Sequence, residues 1–233
     1  MNNHVRTAIA AAALTIATSG AALATTTTAD YSNGNGKYIN VTSSSAGSFG
    51  NIFAGNFILE PKAGDDLAGE SFITFCVDLA HGIADDVTYQ IKSLASSGFS
   101  ATVQSNINRL FSSFYASLNT DPNVDGGRRK VAAFQVALWE IIDEAENNPF
   151  DVTSGVFSVQ NQTIRNIAQN MLDNLGPETA DWEFTFFDAD GNQDQLTAEP
   201  GGDGAAVPLP AGLPLLLTAA GGFALIRRGK KKA

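Results

Sequence analysis

The pattern of apolar and polar positions divides the middle of the chain into a strand-rich part followed by a helical part. Short apolar runs separated by Ser/Gly and Pro-containing turns predict strands over residues 38–41, 51–59, 71–79 and 88–94. Apolar residues recurring every three or four positions predict helices over residues 100–118, 128–145 and 159–175. A late apolar run predicts a returning strand over residues 182–187.

This order of elements predicts an α+β fold: an N-terminal β-rich barrel or sandwich, an inserted helical segment and a late returning strand. Residues 25–198 are long enough for one domain with a substantial core. A Gly-rich linker is expected over residues 199–206.

Residues 1–24 have the features of a secretion signal. Arg6 supplies the positive charge, a mostly apolar stretch follows, and Ala22-Leu23-Ala24 ends in small residues at a cleavage site. A retained membrane anchor is the alternative, but Thr15, Ser19 and Gly20 interrupt the apolar stretch. We therefore expect an exported chain that begins near Thr25.

The last 27 residues, 207–233, have three successive parts. A Pro-rich motif is followed by an apolar stretch over residues 213–226 and then by a basic cluster, which predicts a segment held in the membrane with its basic end in the cytoplasm. The alternative is a permanent tail anchor, although the apolar stretch is short for a full crossing. The motif residues are Val207, Pro208, Leu209, Pro210 and Ala211.

This tail resembles the C-terminal sorting signals of the exosortase system, known as PEP-CTERM signals, in their VPLPA variant, with Leu209 where Glu is common. The resemblance implies that an exosortase-type protease removes the tail and transfers the body to the cell surface or extracellular matrix. It also implies a Gram-negative bacterium and a transient inner-membrane anchor. No Leu-Pro-x-Thr-Gly motif supports a sortase.

The charge and cysteine content limit the possible partners and chemistry. Residues 25–206 contain eight basic and 24 acidic residues, which argues against nucleic acid as a partner. Cys76 is the single cysteine, although exported proteins usually pair their cysteines in disulfides. Cys76 is therefore a buried inert thiol, half of an intermolecular disulfide, a nucleophile, or bonded covalently to a group other than sulfur.

Gln135 falls within the apolar stripe of the second predicted helix, which consists of Val131, Phe134, Leu138 and Ile142. The acids Glu140, Asp143 and Glu144 are expected away from that stripe. A core-facing carboxamide needs hydrogen-bond partners, because each unsatisfied buried group costs about 1–3 kcal/mol. Cys76 follows Phe72-Ile73-Thr74-Phe75 in a predicted strand, so its thiol could condense with the Gln135 carboxamide, releasing ammonia and leaving an internal thioester. Aromatic neighbours Phe75, Phe134 and Trp139 are expected to exclude water from it.

Phe75-Cys76-Val77-Asp78 and Ala133-Phe134-Gln135-Val136-Ala137-Leu138-Trp139-Glu140 resemble the Cys and Gln-x-x-x-Trp motifs of bacterial thioester domains, known from surface adhesins. Phe134 replaces the Thr common in those adhesins. The resemblance implies a Cys76–Gln135 thioester that acylates a nucleophile on a surface or matrix polymer once, without enzymatic turnover. The rival interpretation is a non-covalent structural component of the matrix or surface, in which Cys76 is a small buried apolar residue and Gln135 bonds a strand edge.

Two further kinds of site are weaker predictions. Cys76 and His81 could form a hydrolase pair, but the sequence identifies no Asn or Asp to orient the imidazole. No cofactor is expected apart from calcium, for which two loops offer spaced oxygen atoms without a complete calcium-loop pattern. The candidate ligands are Asp121, Asn123, Asp125, Asp188, Asp190, Asn192 and Asp194.

Overall fold

The structure is a computed structural model that describes residues 25–65, 67–123, 127–144, 149–179 and 182–201. The predicted secretion signal, the sorting tail with residues 207–211, most of the linker and Asp125 lie outside the described residues. Within the described ranges, no helix is long and apolar enough to cross a membrane.

Seven strands of the described chain form one antiparallel sheet. Their order is β2-β3-β7-β6-β4-β1-β5, and β1 also pairs with β2, so six strands close into a ring while β5 extends the far end of β1. The prediction of an α+β fold with a barrel-like β-rich part is confirmed. The strands are β1 Thr26–Ser43, β2 Gly47–Pro61, β3 Phe72–Cys76, β4 Val87–Ser93, β5 Phe157–Val159, β6 Trp182–Ala189 and β7 Gln195–Pro200.

The helical segment lies between β4 and β6, as the sequence predicts. It contains α1 Ala101–Phe114, α2 Arg128–Asp143 and α3 Gln162–Asp173. The Ser100 hydroxyl accepts the Val103 N–H at 3.2 Å and begins α1. The side-chain Oδ1 atom of Asn161 likewise accepts the Ile164 N–H at 3.1 Å, so α3 begins later than expected.

Several boundaries differ from the sequence prediction, and β1 begins at Thr26 rather than at residue 38. Strand β3 ends at Cys76 rather than at residue 79, and β5 takes the position where the third helix was expected to begin. Strand β7 was not predicted, and it includes Glu199 and Pro200 of the segment expected to be linker. Two of the strands that complete the sheet were therefore missing from the sequence analysis.

Helix α2 is buried on every side, which corrects the expectation of one apolar stripe. It packs against α3 and against the long ribbon formed by β1 and β2, and residues 131–141 are all buried. Glu140, expected away from the core, is fully buried, and Glu144 is also buried, whereas Ile142 is only half-buried. Helix α2 is thus the central element of the domain, and polar side chains on any of its faces need partners inside the protein.

In the β1–β2 ribbon, Gly36 on one strand faces Gly55 on the other. A Cβ at Gly55 would lie 2.4 Å from the Asn35 carbonyl oxygen, so the strands must separate to admit it. We expect Gly55→Ala to lower the free energy of unfolding by about 1–3 kcal/mol, as overpacking does, measured by urea denaturation. Gly50→Ala on the same strand is the control, because its nearest atom is 3.6 Å away. Equal effects of the two substitutions would contradict this account.

Candidate functional site

The Gln135 side chain reaches from the middle of α2 to the end of β3. Gln135 and Cys76 are both fully buried. The Gln135 Oε1 atom accepts a hydrogen bond from the Cys76 N–H at 2.9 Å, and its Nε2 atom donates to the Cys76 carbonyl oxygen at 2.7 Å. The pairing of β2 with β3 ends at Asn56 and Phe75. For the next residue, Cys76, the Gln135 carboxamide supplies the hydrogen bonds that a β2 partner would otherwise make. These two bonds satisfy the buried amide and fix its position.

This arrangement places an electrophile, the Gln135 carboxamide carbon, beside Cys76, the residue that carries the nucleophilic thiol. The carbon of the Gln135 carboxamide is held against the main chain of Cys76, which also carries the thiol. The Cys76 N–H polarises the Gln135 carbonyl and is already directed at the oxygen on which negative charge develops when sulfur attacks. The geometry therefore holds the Gln135 carboxamide against the residue that carries the thiol.

The Cys76 thiol is protonated and shielded from solvent. Burial raises the pKa of this thiol to about 12, and the carboxylates of Asp78 and Asp194 add to the rise. The thiol donates to the Asp78 carbonyl oxygen at 3.1 Å. The structure thus describes a free, buried cysteine that is a poor target for external oxidants.

Of the three aromatic neighbours predicted for the pair, Trp139 is the one that affects the pKa of the Cys76 thiol directly. Its indole lies close enough to offset part of the effect of burial on the pKa of Cys76. Its Nε1–H is buried and makes no hydrogen bond of ordinary geometry within the described part of the chain. This donor is available to a sulfur or carbonyl oxygen that changes its charge during a reaction.

The other two expected neighbours, Phe75 and Phe134, are fully buried in an aromatic cluster whose outer member, Tyr115, is partly buried. Their ring centroids are 4.9 Å apart, and Phe111 lies 5.0 Å from Phe134. Tyr115 closes the cluster at 6.1 Å from Phe134. Large apolar side chains next to Cys76 and Gln135 keep bulk water from the pair.

Asp78 is a site residue that the sequence analysis missed. Its carboxylate Oδ2 atom lies 2.6 Å from Nδ1 of His81, although no acid had been identified to orient this imidazole. The spacing of three residues in the turn after β3 was the available signal. Cys76 contacts the Asp78 carbonyl and His81 contacts the Asp78 carboxylate, so each is held by Asp78 rather than paired with the other as in a hydrolase.

An open cavity of about 360 Å³ lies between the turn after β3 and the β1–β2 ribbon. Its lining includes Trp139, His81, Gln193 and aromatic residues of the ribbon. We call it the ribbon groove. Its aromatic residues are Tyr31, Tyr38, Phe49, Phe53 and Phe57. Trp139 borders both this groove and the Cys76 thiol.

The candidate calcium residues make contacts typical of ordinary turns. Asp121 accepts the Asn123 N–H at 2.8 Å, and the Asp194 carboxylate accepts the Ala189 N–H at 2.8 Å. Asp188 pairs with Lys92. In the described ranges no three His, Cys, Asp or Glu side chains converge to hold a metal ion, and calcium at either loop stays a prediction.

The chain was compared with known proteins. No family model matches it, and no curated protein matches it. Among solved structures, it is similar to the N-terminal domain of the Streptococcus pyogenes pilus tip adhesin Cpa, with 14% identity over 71% of this chain and 95% of that chain, and a TM-score of 0.41. It is also similar to the N-terminal thioester domain of a surface protein from Clostridium perfringens, with 11% identity over 63% of this chain and 89% of that chain, and a TM-score of 0.42. These structural neighbours come from bacterial surface proteins.

Proposed function

We propose that this protein is an exported thioester-domain protein that attaches covalently to a surface or matrix polymer through Cys76 and Gln135. The observation that carries the proposal is the pair of hydrogen bonds that hold the Gln135 carboxamide on the main chain of Cys76, at 2.9 and 2.7 Å. Reacting groups held in contact do not lose the translational freedom of a bimolecular encounter, which favours their reaction.

Thioester formation balances without a co-reactant. The Cys76 sulfur attacks the Gln135 side-chain carbonyl carbon, the bond from that carbon to Nε2 breaks, and the thiol proton leaves with the nitrogen as ammonia. The hydrogen bond from the Cys76 N–H stays on the retained oxygen, whereas the bond donated by Nε2 is lost with the leaving group. Ammonia that escapes is diluted in the medium, so the buried acyl group persists until another nucleophile reaches it.

The thioester reacts once per molecule. A polymer nucleophile takes the acyl group, Cys76 leaves as the thiol, and the domain remains bonded to the polymer through the Gln135 side chain. Because nothing regenerates the thioester, the protein is an attachment device rather than an enzyme that turns over. Export by the predicted secretion signal and removal of the tail by an exosortase-type protease would deliver this domain to the cell surface or matrix.

A non-covalent structural protein is the second candidate, and one observation favours it. The two bonds from the Gln135 carboxamide to Cys76 also satisfy both atoms of a buried amide, so Gln135 has a structural role even without reaction. In that case the domain contributes a stable surface to the matrix, and the thiol of Cys76 stays free.

Intact mass spectrometry of freshly purified native protein distinguishes the two candidates. We expect the wild-type protein to be lighter than its sequence mass by one ammonia and to gain one methylamine when treated with that amine. Cys76→Ala and the closely matched Cys76→Ser are expected to show the full sequence mass and no addition. A wild-type protein of full mass, inert to methylamine, would establish the structural candidate instead.

A further inference from the structure

We propose that His81, oriented by Asp78, is a general base that lets the Cys76–Gln135 thioester acylate a hydroxyl group of a sugar-like ligand in the ribbon groove. This inference rests on the proposed thioester. It names the class of acceptor, which the site itself leaves open between amines and hydroxyls.

The position of His81 carries the first step of the argument. His81 lines the ribbon groove together with Trp139, whose indole lies against the Cys76 thiol. The His81 side chain is about half exposed, at 49%, so one side of the ring faces solvent in the groove. A ligand group that lies between His81 and Trp139 is therefore next to the base and to the indole that neighbours the Cys76 thiol.

The contact with Asp78 fixes which ring nitrogen is the base. Nδ1 lies 2.6 Å from the Asp78 carboxylate, so this nitrogen carries the proton and donates it. The neutral ring then keeps Nε2 as an acceptor. Asp78 also accepts the Cys76 thiol on its carbonyl oxygen, so a single residue sets the positions of the imidazole and the sulfur. Two independent contacts of Asp78 thus connect the base with the reaction centre.

The groove has the chemistry of a carbohydrate site. Tyr38 is exposed at 57% and packs edge to face against Phe53 with ring centroids 5.4 Å apart, which leaves an aromatic surface open to solvent. Asn33 and Gln193 add planar amides to the lining. Aromatic faces beside amide donors and acceptors suit a ring with apolar faces and hydroxyl edges. Among the described residues, no Lys or Arg, which favour anionic ligands, lines this groove.

A hydroxyl acceptor explains why a base is needed. An unprotonated amine attacks a thioester without help, whereas a neutral hydroxyl is a weak nucleophile until its proton is withdrawn. In the proposed step, the hydroxyl oxygen bonds to the Gln135 acyl carbon, its proton passes to Nε2 of His81, and the carbon–sulfur bond breaks. The imidazolium returns the proton to the Cys76 thiolate, which leaves an ester and a free thiol.

The charges around His81 determine the pH dependence. Asp78 on the same turn is the main cause of the raised pKa of His81, and Asp194 from the β6–β7 turn contributes to it. Tyr31 and Tyr38 are the other titratable side chains that line the groove. Because the base is the neutral imidazole, the rate of acylation of a hydroxyl is expected to rise with pH through the pKa of His81.

The test uses glycerol as the hydroxyl probe and methylamine as the amine probe, followed by intact mass. We expect His81→Ala and His81→Gln to form the thioester normally and to react with glycerol about 10²-fold more slowly than wild type, without the wild-type dependence on pH. Their reaction with methylamine is expected to change far less. Lys62→Ala is the control, since it removes an exposed cation paired with Asp30 and Asp86 and does not line the groove.

The possible failures are distinguishable. A wild-type protein without the loss of ammonia refutes the thioester itself. If the thioester forms but glycerol does not react, or reacts equally fast in wild type and His81→Ala, the thioester stands and the role of His81 is refuted. Equal slowing of glycerol and methylamine in both His81 variants would make His81 a structural residue and would likewise overturn the proposal.

Discussion

Opening the proposed Cys76–Gln135 thioester with methylamine is expected to lower the free energy of unfolding by about 4 kcal/mol, because this bond would join residues separated by 59 positions in the chain. A covalent link of this span restricts the unfolded chain more than the folded one, where α2 and β3 are already in contact. This stabilisation exceeds that of the two hydrogen bonds between the same residues, which contribute about 0.5–1.5 kcal/mol each. The proposed attachment reaction would therefore leave behind a less stable domain.

Urea denaturation of the wild-type protein before and after methylamine treatment measures this effect. Cys76→Ala treated in the same way is the control, since it has no thioester to open and its midpoint is expected not to move. The untreated variant is expected to resemble the methylamine-treated wild type, apart from a small loss of packing at Cys76. A wild-type protein that takes up methylamine with an unchanged midpoint would show that the bond contributes nothing to stability.

The central contact of the site could be predicted from the sequence because it depends on two local patterns. The period of α2 places Gln135 among apolar residues, and the alternation in β3 places Cys76 on the face that it shares with Phe72 and Thr74. A carboxamide inside a core must find partners, and a strand end offers an unpaired N–H and C=O. The distances of 2.9 and 2.7 Å between these groups show how the structure satisfies both requirements at once.

The sequence could not predict β7 because its pattern is not that of a half-buried strand. Four successive residues, 195–198, are buried, and two of them are polar. The Gln195 side chain accepts from Thr74 at 3.0 Å, and Thr197 donates to the Ile73 carbonyl oxygen at 2.8 Å. These polar residues are stable in the core only because β3 lies beside them and supplies hydrogen-bond partners. That contact is a feature of the tertiary structure, which a local sequence pattern does not show. Strand β5, with three residues, is too short for any period to be visible.

The burial of Glu140 was missed for a related reason. A helical wheel assumes that one face of a helix contacts the core, but α2 lies between α3 and the β1–β2 ribbon, and its polar face is covered too. The ribbon reaches α2 because β1 and β2 are unusually long, with 18 and 15 residues. The length of these strands is set by long-range pairing, and a helical wheel of α2 contains no information about such pairing.

Burial raises the pKa of Glu140 from its ordinary value of 4.5 to about 8, and the nearby Glu144, Asp151 and Asp143 carboxylates add to the rise. Its Oε1 atom accepts the Asp151 N–H at 2.7 Å, whereas Oε2 has no partner in the described part of the chain. The folded protein therefore holds a proton on Glu140 that the unfolded chain has released above pH 4.5. The contribution of neutral Glu140 to the free energy of unfolding is complete below pH 4.5 and is lost as the pH rises to about 8.

Glu140→Gln is expected to abolish this loss, because the carboxamide stays neutral at every pH and keeps the oxygen that accepts the Asp151 N–H. The free energy of unfolding of the variant minus that of the wild type should grow with pH, by up to about 1.4 kcal/mol per pH unit, until Glu140 ionises in the folded state. Thermal or urea denaturation from acidic to mildly basic pH measures it, with exposed Glu70→Gln as the control. Other groups such as His81 titrate in both proteins and cancel in the difference. A difference that stays constant with pH would show that Glu140 is ionised in the folded protein, and water would then have to reach the side of α2 that the β1–β2 ribbon and α3 cover.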